Sequence, residues 1–417
     1  MAVNRDKSWD AIIVGSGVAG LSTAMEFGLR GHRTLVLERR GLASGSTSRA
    51  AGLLGQMRTT VDAVRMLMDS VRILHGIEDR SGINVFHQTG SIRIAQNAAR
   101  VDELRRDVGV SLAAGLTVHT IESAEVLRLA PYVRVDDVIE ACYCPSDGYL
   151  DPPTLARAYI QVARGIGVSF VEHAPVERIH SNGETVSGVR ACGVDYFAPV
   201  VVNAAGPWAH LVSNFADQML PTAGIAHYYL TTRECDQVDI SPDTPTLRDR
   251  ENRIYSRPCD GGLRVGIYET RPETIAVERL PVDYSMDGMT AARDHPTVRS
   301  LMDAAARRFP RITTDTPMEI RGGIMAFTPD GGPLLGEFPQ LKGFFHCAGF
   351  CGHGVTQSPA LGPLMADLVF DGVRRYDAAQ LEADRFADFP DLQTREAVEA
   401  KCAACYANYY GKSEQST

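Results

Sequence analysis

The chain has 417 residues, 44% of them hydrophobic and 22% charged, and a formal net charge of -9. This length exceeds what one hydrophobic core usually supports, so two domains are expected. The negative charge argues against nucleic acid as a partner, and no apolar run approaches the roughly 20 residues that span a bilayer. Residues 1–9 lack the apolar core of a signal peptide, and the nine scattered cysteines are typical of reduced thiols. A cytoplasmic protein is therefore expected.

A dinucleotide-binding pattern opens the chain. A short apolar run at 11–14 predicts a buried strand, and a helix with apolar spacing follows at 21–29. A second buried strand is predicted at 34–37 and ends at Glu38, whose carboxylate can accept hydrogen bonds from ribose hydroxyls. Between the first strand and the helix, three glycines have G-x-G-x-x-G spacing: Gly15, Gly17 and Gly20. Strand, glycine turn, helix, strand and acid together supply the full context of this fingerprint.

The three glycines have different roles in such a motif. Gly15 allows the tight turn, Gly17 lets the backbone approach a pyrophosphate, and Gly20 lets the helix pack closely on the strand. Val18 and Ala19 lie just before the predicted helix, and they are predicted cofactor contacts because the unpaired N–H groups and the positive dipole end of a helix N-terminus suit phosphates. The turn is therefore predicted to hold the phosphates of a dinucleotide.

A loop of small and polar residues follows Glu38. Its residues show no periodicity, and a flexible linker is the alternative reading. Its position directly after the ribose-binding acid favours contact with an extended cofactor. The predicted cofactor contacts in this loop are Arg39, Ser44, Ser46, Thr47, Ser48, Arg49, Ala51, Gly52 and Leu53.

Two later apolar strands also end in small residues. One is predicted at 200–203 and the other at 344–348, before a glycine-rich turn and an apolar helix. A second helix N-terminus near a redox ring would stabilise the negative charge of a reduced flavin, whereas a reduced nicotinamide is neutral. The cofactor contacts predicted around these strands are Val176, Ala205, Gly206, Trp208, Gly349, Gly352, His353, Gly354, Val355 and Thr356.

These elements predict an α/β fold with an added antiparallel sheet. A discontinuous Rossmann-like FAD-binding domain is expected at 1–85, 141–215 and 321–375. A mainly β substrate domain is expected as an insertion at 86–140 and 216–320, and residues 376–417 are expected to form a C-terminal tail. Cys402 and Cys405 form a lone C-x-x-C pair in that tail, without a second pair or nearby histidines, so no metal site is predicted.

At these residues the chain resembles the D-amino-acid oxidase superfamily of flavoproteins, and within it the sarcosine and dimethylglycine dehydrogenase branch. The resemblance covers nearly the whole chain in order. Besides the opening fingerprint, it includes Ser44-Gly-Ser-Thr-Ser-Arg-Ala-Ala-Gly-Leu-Leu-Gly-Gln-Met-Arg58, Asp147-Gly-Tyr-Leu-Asp-Pro152, Val202-Asn-Ala-Ala-Gly-Pro-Trp208, His227-Tyr-Tyr-Leu-Thr-Thr232, Arg248-Asp249, Ile254-Tyr255, Thr328-Pro-Asp330 and Gly349-Phe-Cys-Gly-His-Gly354.

The resemblance implies FAD and oxidation of a secondary or tertiary amine, such as sarcosine or dimethylglycine. The flavin would accept a hydride, the imine would hydrolyse, and oxygen or an electron carrier would take the electrons. His227 and Tyr255 match the histidine and tyrosine that lie beside the substrate in dimethylglycine-oxidising relatives. His227 would take or relay the amine proton, and Tyr255 would hold the substrate. The alternative reading of His227 is a hydrogen-bonded residue of the sheet.

Three departures from the family pattern change these expectations. Branch members with covalent flavin carry Trp-His where this chain has Ser48-Arg49. Monomeric sarcosine oxidases use a cysteine that aligns with Gly323, which is here a predicted cofactor contact without a side chain. FAD is therefore expected to bind noncovalently. Larger relatives continue into a folate-binding domain, and this chain ends about where that domain would begin. Capture of the one-carbon unit on the same chain is therefore not expected.

Several roles stay open at this stage. A substrate carboxylate needs a cation, and Arg58 and Arg49 are the candidates, although Arg49 can instead lie over the flavin ring. Other readings of the function are a glycine, D-amino-acid or cyclic amino acid oxidase, a subunit of an electron-transferring complex, and a non-catalytic FAD-binding module. An exposed tail with Cys402 and Cys405 would suit a partner subunit.

Overall fold

The structure is a computed structural model, which describes residues 9–233, 239–313, 315–376 and 381–411. The helices in these ranges are α1 (Val18–Leu29), α2 (Val61–Ser81), α3 (Ala98–Ala113), α4 (Ser123–Leu129), α5 (Pro152–Gly165), α6 (Ala209–Asn214), α7 (Pro296–Arg308), α8 (Gly354–Ala366) and α9 (Arg395–Asn408). The strands are β1 (Ala11–Val14), β2 (Thr34–Leu37), β3 (Leu53–Leu54), β4 (Phe86–His87), β5 (Ser91–Ala95), β6 (His119–Ile121), β7 (Glu140–Cys144), β8 (Gly148–Leu150), β9 (Ser169–Val171), β10 (Val176–Ser181), β11 (Val186–Ala191), β12 (Val194–Phe197), β13 (Val200–Asn203), β14 (Ala223–Thr232), β15 (Thr246–Asp249), β16 (Ile254–Cys259), β17 (Gly262–Ile267), β18 (Thr274–Ile275), β19 (Met318–Phe327), β20 (Leu334–Glu337) and β21 (Phe344–Ala348).

A six-stranded sheet forms around the N-terminal strand, in the order β20-β21-β13-β1-β2-β9. Neighbouring strands are parallel except for β20, which is antiparallel to β21. All residues of β1 and β2 are buried, because α1, α5 and α8 cover one face of the sheet and β10 to β12 cover the other. The carboxyl ends of β1, β2, β13 and β21 therefore meet at one edge, where open α/β sheets bind ligands.

The second large sheet has nine strands, in the order β18-β14-β17-β16-β15-β5-β7-β6, with β19 paired to β14. It is mainly antiparallel, and α4 and α7 pack their apolar residues against it. The combination of a parallel sheet with a mainly antiparallel sheet confirms the predicted fold class. Two of the predicted domain boundaries, at 141 and 321, fall inside strands β7 and β19 of this sheet. The division into domains stays a prediction.

Helix α9 is part of the core, although the sequence suggested an exposed tail. It packs on β14 and β19, and its residues Val398, Cys402 and Tyr406 are buried at helical spacing. The expectation that Cys402 is exposed is therefore wrong, because this thiol lies on the apolar face of the helix; Cys405 is half-buried. Across the described ranges, no helix is long and apolar enough to cross a membrane. Residues 1–8, on which the signal-peptide expectation depends, lie outside those ranges.

Candidate active site

A cavity of about 420 Å³ opens at the carboxyl edge of the six-stranded sheet. Its walls come from the glycine turn after β1 and from β14, β16 and β19 of the nine-stranded sheet. Both residues predicted to face the substrate, His227 and Tyr255, line it. The predicted cofactor contacts that line it are Gly15, Gly17, Val18, Ala19, Glu38, Arg39, Ser44, Ser46, Thr47, Arg49, Ala51, Gly52, Leu53, Val176, Ala205, Gly206, Trp208, Gly323, Gly352, His353, Gly354, Val355 and Thr356.

The other predicted site residues lie behind this lining. A Cβ on Gly20 would stand 2.1 Å from the carbonyl oxygen of Gly15, so this glycine serves the close packing of α1. The Ser48 hydroxyl donates to the carbonyl of Gly45 at 2.9 Å and closes a turn. Gly349 has a φ of +70°, and a Cβ there would collide with a neighbouring threonine. These residues shape the walls of the cavity without facing its interior.

The glycine turn leaves its backbone open to the cavity. Gly15 has a φ of +102°, and a Cβ there would lie 2.6 Å from the carbonyl oxygen of Ala204. A Cβ added to Gly17 would approach only the Thr47 hydroxyl oxygen, at 3.4 Å. The N–H of Val18 donates to Thr47 Oγ1 at 3.0 Å. Since the hydroxyl oxygen accepts this bond, its own hydrogen is free to donate to a ligand.

Glu38 is fixed at the end of β2 by backbone and side-chain donors. Its Oε2 accepts from the Ser16 N–H at 2.9 Å and from the Ser16 hydroxyl at 2.7 Å. Its Oε1 accepts from the Arg40 N–H at 2.9 Å. These bonds hold the carboxylate on the cavity wall, with one lone pair of Oε1 left to accept from a further hydroxyl.

The loop after Glu38 places two cations on the cavity wall. Arg39 stacks on Trp208, with its guanidinium carbon 3.7 Å from the ring centroid, and burial lowers the pKa of Arg39. Arg49 pairs with Asp287 through Nη2 at 3.1 Å, while its buried Nε has no hydrogen-bond partner among the described residues. A Cβ on Gly323 would lie 2.7 Å from the Cβ of Arg49. The side chain of Arg49 therefore occupies the space that a side chain at 323 would need.

The N-terminus of α8 forms another wall of the cavity. The turn after β21 reaches it through Cys351 and Gly352, which have φ values of +49° and +84°. His353 is the N-cap residue of α8, and its ring Nε2 is hydrogen-bonded to the Tyr409 hydroxyl. Burial and the nearby Arg58 cation hold the pKa of His353 well below its usual range, so the ring is neutral. The helix thus presents its positive dipole end beside a neutral imidazole.

A buried hydrogen-bonded chain begins at the cavity wall. His227 on β14 has its Nε2 2.7 Å from the Tyr255 hydroxyl and its Nδ1 2.7 Å from the Tyr406 hydroxyl of α9. The Tyr406 hydroxyl is also bonded to Glu269 Oε2. Burial lowers the pKa of His227 to about 3 and raises that of Glu269 to about 7. His227 is therefore neutral at physiological pH.

Three further residues line the cavity beside His227 and were not selected from the sequence: Arg248, Tyr268 and Tyr410. The Nη1 of Arg248 donates to the Tyr410 hydroxyl at 3.1 Å, and the ring centroids of Tyr268 and Tyr410 lie 4.8 Å apart. Arg248 belongs to one of the motifs that carry the family resemblance, so a signal for it was present. Tyr410 had none, because it follows the last matched motif.

Arg58 lies behind this group and does not line the cavity. Its Nη1 donates to the carbonyls of Gly55 and Met57 at 2.9 and 2.7 Å, and its buried Nη2 has no partner among the described residues. Burial, with repulsion from Arg248 and Arg93, lowers the pKa of Arg58 to about 10. The structure therefore places Arg248, rather than Arg58, in the cavity lining together with Tyr255.

A model of the DAO family, described as FAD dependent oxidoreductase, matches residues 10–368. The chain belongs to this family. The predicted resemblance and the predicted FAD-dependent oxidoreductase class are thereby confirmed. The matched range includes the glycine turn, β14, β16 and the start of α8. It ends before α9, so Tyr406, Tyr409 and Tyr410 are contributed from outside it.

The names of the relatives that this chain resembles indicate different substrates. Sarcosine dehydrogenase of Homo sapiens is 29% identical over 385 residues, which cover 90% of this chain and 41% of that protein. Glycine oxidase of Geobacillus kaustophilus is 29% identical over 391 residues, covering 90% of this chain and 97% of that protein. The structure of L-proline dehydrogenase from P. horikoshii is similar with a TM-score of 0.82 at 23% identity, covering 91% and 98% of the two chains. This chain thus spans less than half of the sarcosine dehydrogenase that it resembles.

The cavity fits the FAD of this family. The bare backbone at Gly15 and Gly17 and the free hydroxyl hydrogen of Thr47 suit a pyrophosphate, and the fixed carboxylate of Glu38 suits ribose hydroxyls. The unpartnered Nε of Arg49 and the N-terminus of α8 supply positive charge where the cavity meets β19. These residues would hold the phosphates, the ribose and the flavin ring in that order.

Proposed function

We propose that this chain oxidises a secondary or tertiary amine, such as the N-methyl amino acids sarcosine and dimethylglycine, to an imine that hydrolyses. The observation that carries the proposal is that His227, Tyr255 and Arg248 line the same cavity from strands of the nine-stranded sheet. A neutral imidazole with a tyrosine suits the nitrogen of an amine, and a guanidinium suits a carboxylate. An amino acid has both groups.

The side chains at this wall would prepare the amine for oxidation. FAD, when bound, supplies the acceptor for the hydride that leaves the carbon next to nitrogen. The amine must first lose its proton, because only its lone pair can push electrons as the hydride leaves. The Tyr255 hydroxyl lies 2.7 Å from His227 Nε2 and donates its hydrogen there in the tautomer that carries the ring hydrogen on Nδ1. The lone pairs of the Tyr255 oxygen then face the N–H of the substrate.

The similarity to sarcosine dehydrogenase supports an N-methyl substrate, while the glycine oxidase that this chain covers almost completely supports a primary amine. Product analysis distinguishes the two. Oxidation of an N-methyl group in sarcosine yields formaldehyde and glycine, whereas oxidation at the α-carbon of glycine yields glyoxylate and ammonia. We expect formaldehyde from sarcosine and no glyoxylate from glycine. Turnover of glycine or proline without turnover of sarcosine would contradict the N-methyl proposal. Amine oxidation would then stand, with a different class of amine as the substrate.

We further propose that FAD is bound noncovalently, since Ser48 and Arg49 replace the Trp-His pair of covalent relatives and Gly323 has no side chain. Denaturing the purified protein is expected to release the flavin completely into the filtrate, because no attaching side chain stands at either position. Gly323→Cys is expected to remain without a covalent bond, since its Cβ would meet that of Arg49 at 2.7 Å. A yellow protein pellet after acid precipitation of the unchanged chain would contradict this proposal.

Replacing Arg248 by methionine is expected to raise the KM for sarcosine about 10²-fold, because a lost charge-assisted pair is worth roughly 3 kcal/mol. Methionine keeps most of the side-chain volume. The matched control is dimethylamine, which has no carboxylate: the variant should oxidise it as well as the unchanged chain does. An equal loss with both amines would show that Arg248 supports the fold of the site and not the carboxylate.

We propose that oxygen or an electron carrier accepts the electrons from the reduced flavin. We also propose that the protein is located in the cytoplasm. A partner subunit that takes the electrons is the second candidate. It is less favoured now that Cys402 is packed inside the chain. Stoichiometric hydrogen peroxide during turnover would identify oxygen as the acceptor, and turnover that needs an added dye would identify a carrier.

A further inference from the structure

Four side chains form a continuous hydrogen-bonded chain away from the cavity: Tyr255, His227, Tyr406 and Glu269. Only the first two line the cavity. Tyr406 comes from α9, outside the range that the family model matches. All four residues are buried, so water does not interrupt the chain at its intermediate members.

The ionisation of Glu269 sets the direction of every bond in this chain. An ionised carboxylate only accepts, so the Tyr406 hydroxyl must donate to it. The Tyr406 oxygen can then only accept from His227, which places the ring hydrogen on Nδ1. The Nε2 of His227 is left unprotonated and accepts from the Tyr255 hydroxyl. The lone pairs of the Tyr255 oxygen are therefore directed at the cavity whenever Glu269 is charged.

We infer that Glu269 is the final acceptor of the proton that leaves the substrate amine, reached through Tyr406, His227 and Tyr255. This inference rests on the proposed function. As the amine proton moves to the Tyr255 oxygen, the Tyr255 proton moves to His227 Nε2, the Nδ1 proton moves to Tyr406, and the Tyr406 proton moves to Glu269. The net change is a neutral amine and a neutral Glu269, with the three intermediate groups again neutral. Glu269 and Tyr406 touch no substrate and are positioning residues.

The charges around the relay agree with this role. Burial raises the pKa of Glu269 to about 7, against the opposing hydrogen bond from Tyr406 and the opposing charge of Arg253; Glu273 adds a smaller repulsion. Around His227 the packed groups are the rings of Tyr255, Tyr268 and Tyr406, and none of these carries a charge at neutral pH. Glu269 is therefore the titrating group of the relay. It can accept a proton above its pKa and not below it, so the rate should rise with pH through about 7.

The experiment compares three variants of the full-length holoprotein: Glu269→Gln, Tyr406→Phe and the control Glu273→Gln. Anaerobic flavin reduction by saturating sarcosine is followed across pH. Glu269→Gln keeps an acceptor for the Tyr406 hydroxyl but cannot take a proton, so the rate should fall about 10²-fold and the inflection near pH 7 should disappear. Tyr406→Phe should lower the rate by a similar factor and also remove the inflection. The double variant should be no slower than either single variant, because both changes interrupt the same relay. Glu273 is exposed, and its variant should keep the rate and retain an inflection, moved slightly to lower pH because its small repulsion of Glu269 is removed.

A second readout needs no substrate. Infrared difference spectra of the resting protein compare it below and above pH 7. The carbonyl band of one buried carboxylic acid should disappear as the pH is raised. This change should be missing in Glu269→Gln and present in Glu273→Gln. An inflection or a band that persists in Glu269→Gln would overturn the inference. If Glu269→Gln fails to fold, Tyr406→Phe decides the rate test in the same way. If no amine reduces the flavin but the band behaves as described, the proposed function fails while Glu269 remains the titrating group.

Discussion

Replacing His227 by phenylalanine is expected to slow the reduction of bound flavin by sarcosine about 10³-fold, within the range that proton transfer by a positioned side chain contributes. The reason is geometric. His227 is the only described link between the Tyr255 hydroxyl and the Tyr406 hydroxyl, each 2.7 Å from one ring nitrogen. Phenylalanine keeps the ring volume in the buried site and removes both bonds. Stopped-flow absorbance at the flavin band measures the effect.

A matched control for this variant is His210→Phe. His210 is also buried, and burial likewise lowers its pKa to about 3, but it does not line the cavity. Its replacement should leave the rate of flavin reduction unchanged. Because the pKa of His227 is lowered to about 3, His227 is neutral across the working range, and its own titration should produce no inflection there. A rate for His227→Phe equal to that of the unchanged chain would contradict a role for His227 in accepting the proton.

Gly15→Ala is expected to destabilise the fold by about 3 kcal/mol or more and to prevent FAD binding. The residue has a φ of +102°, and the new Cβ would lie 2.6 Å from a backbone oxygen that cannot swing away. A positive φ costs roughly 1–3 kcal/mol, and overpacking adds roughly 1–3 kcal/mol. Urea unfolding and the flavin content of the purified protein measure the two losses.

Two other glycines separate strain from cofactor contact. Gly31 has a φ of +86°, and nothing lies within 4 Å of an added Cβ. Gly31→Ala should therefore lower the free energy of unfolding by only about 1 kcal/mol and leave FAD binding intact. Gly17→Ala meets only Thr47 at 3.4 Å, so it should fold normally and yet bind FAD at least about tenfold more weakly. Normal FAD affinity in Gly17→Ala would contradict the position assigned to the pyrophosphate.

The sequence predicts the FAD end of the site well because its determinants are local. The spacing from Ala11 to Glu38 specifies a strand, turn, helix and strand that the structure contains, with Glu38 fixed beside the turn. The loop from Ser44 to Leu53 has no periodicity, yet its position in the chain was sufficient to place it on the cavity wall.

The substrate end depends on contacts between distant parts of the chain, and these have no single-sequence signal. His227 on β14 and Tyr255 on β16 come together across β17, which lies between their strands in the nine-stranded sheet, so their selection required a family resemblance. Tyr406 comes from a helix within the stretch 376–417, which was predicted to form a C-terminal tail. Arg58 was favoured for its place after the cofactor loop, but its side chain turns to backbone carbonyls, and Arg248 reaches the cavity from β15.

The most direct test of the proposed amine oxidation is the visible spectrum of the purified protein without oxygen, before and after addition of sarcosine or dimethylglycine. We predict that the oxidised-flavin band disappears on mixing and returns when air or an electron carrier is admitted. A yellow protein that stays yellow with both amines would contradict the proposed N-methyl substrates. A colourless protein that cannot be reconstituted with FAD would contradict the cofactor site on which the whole account depends.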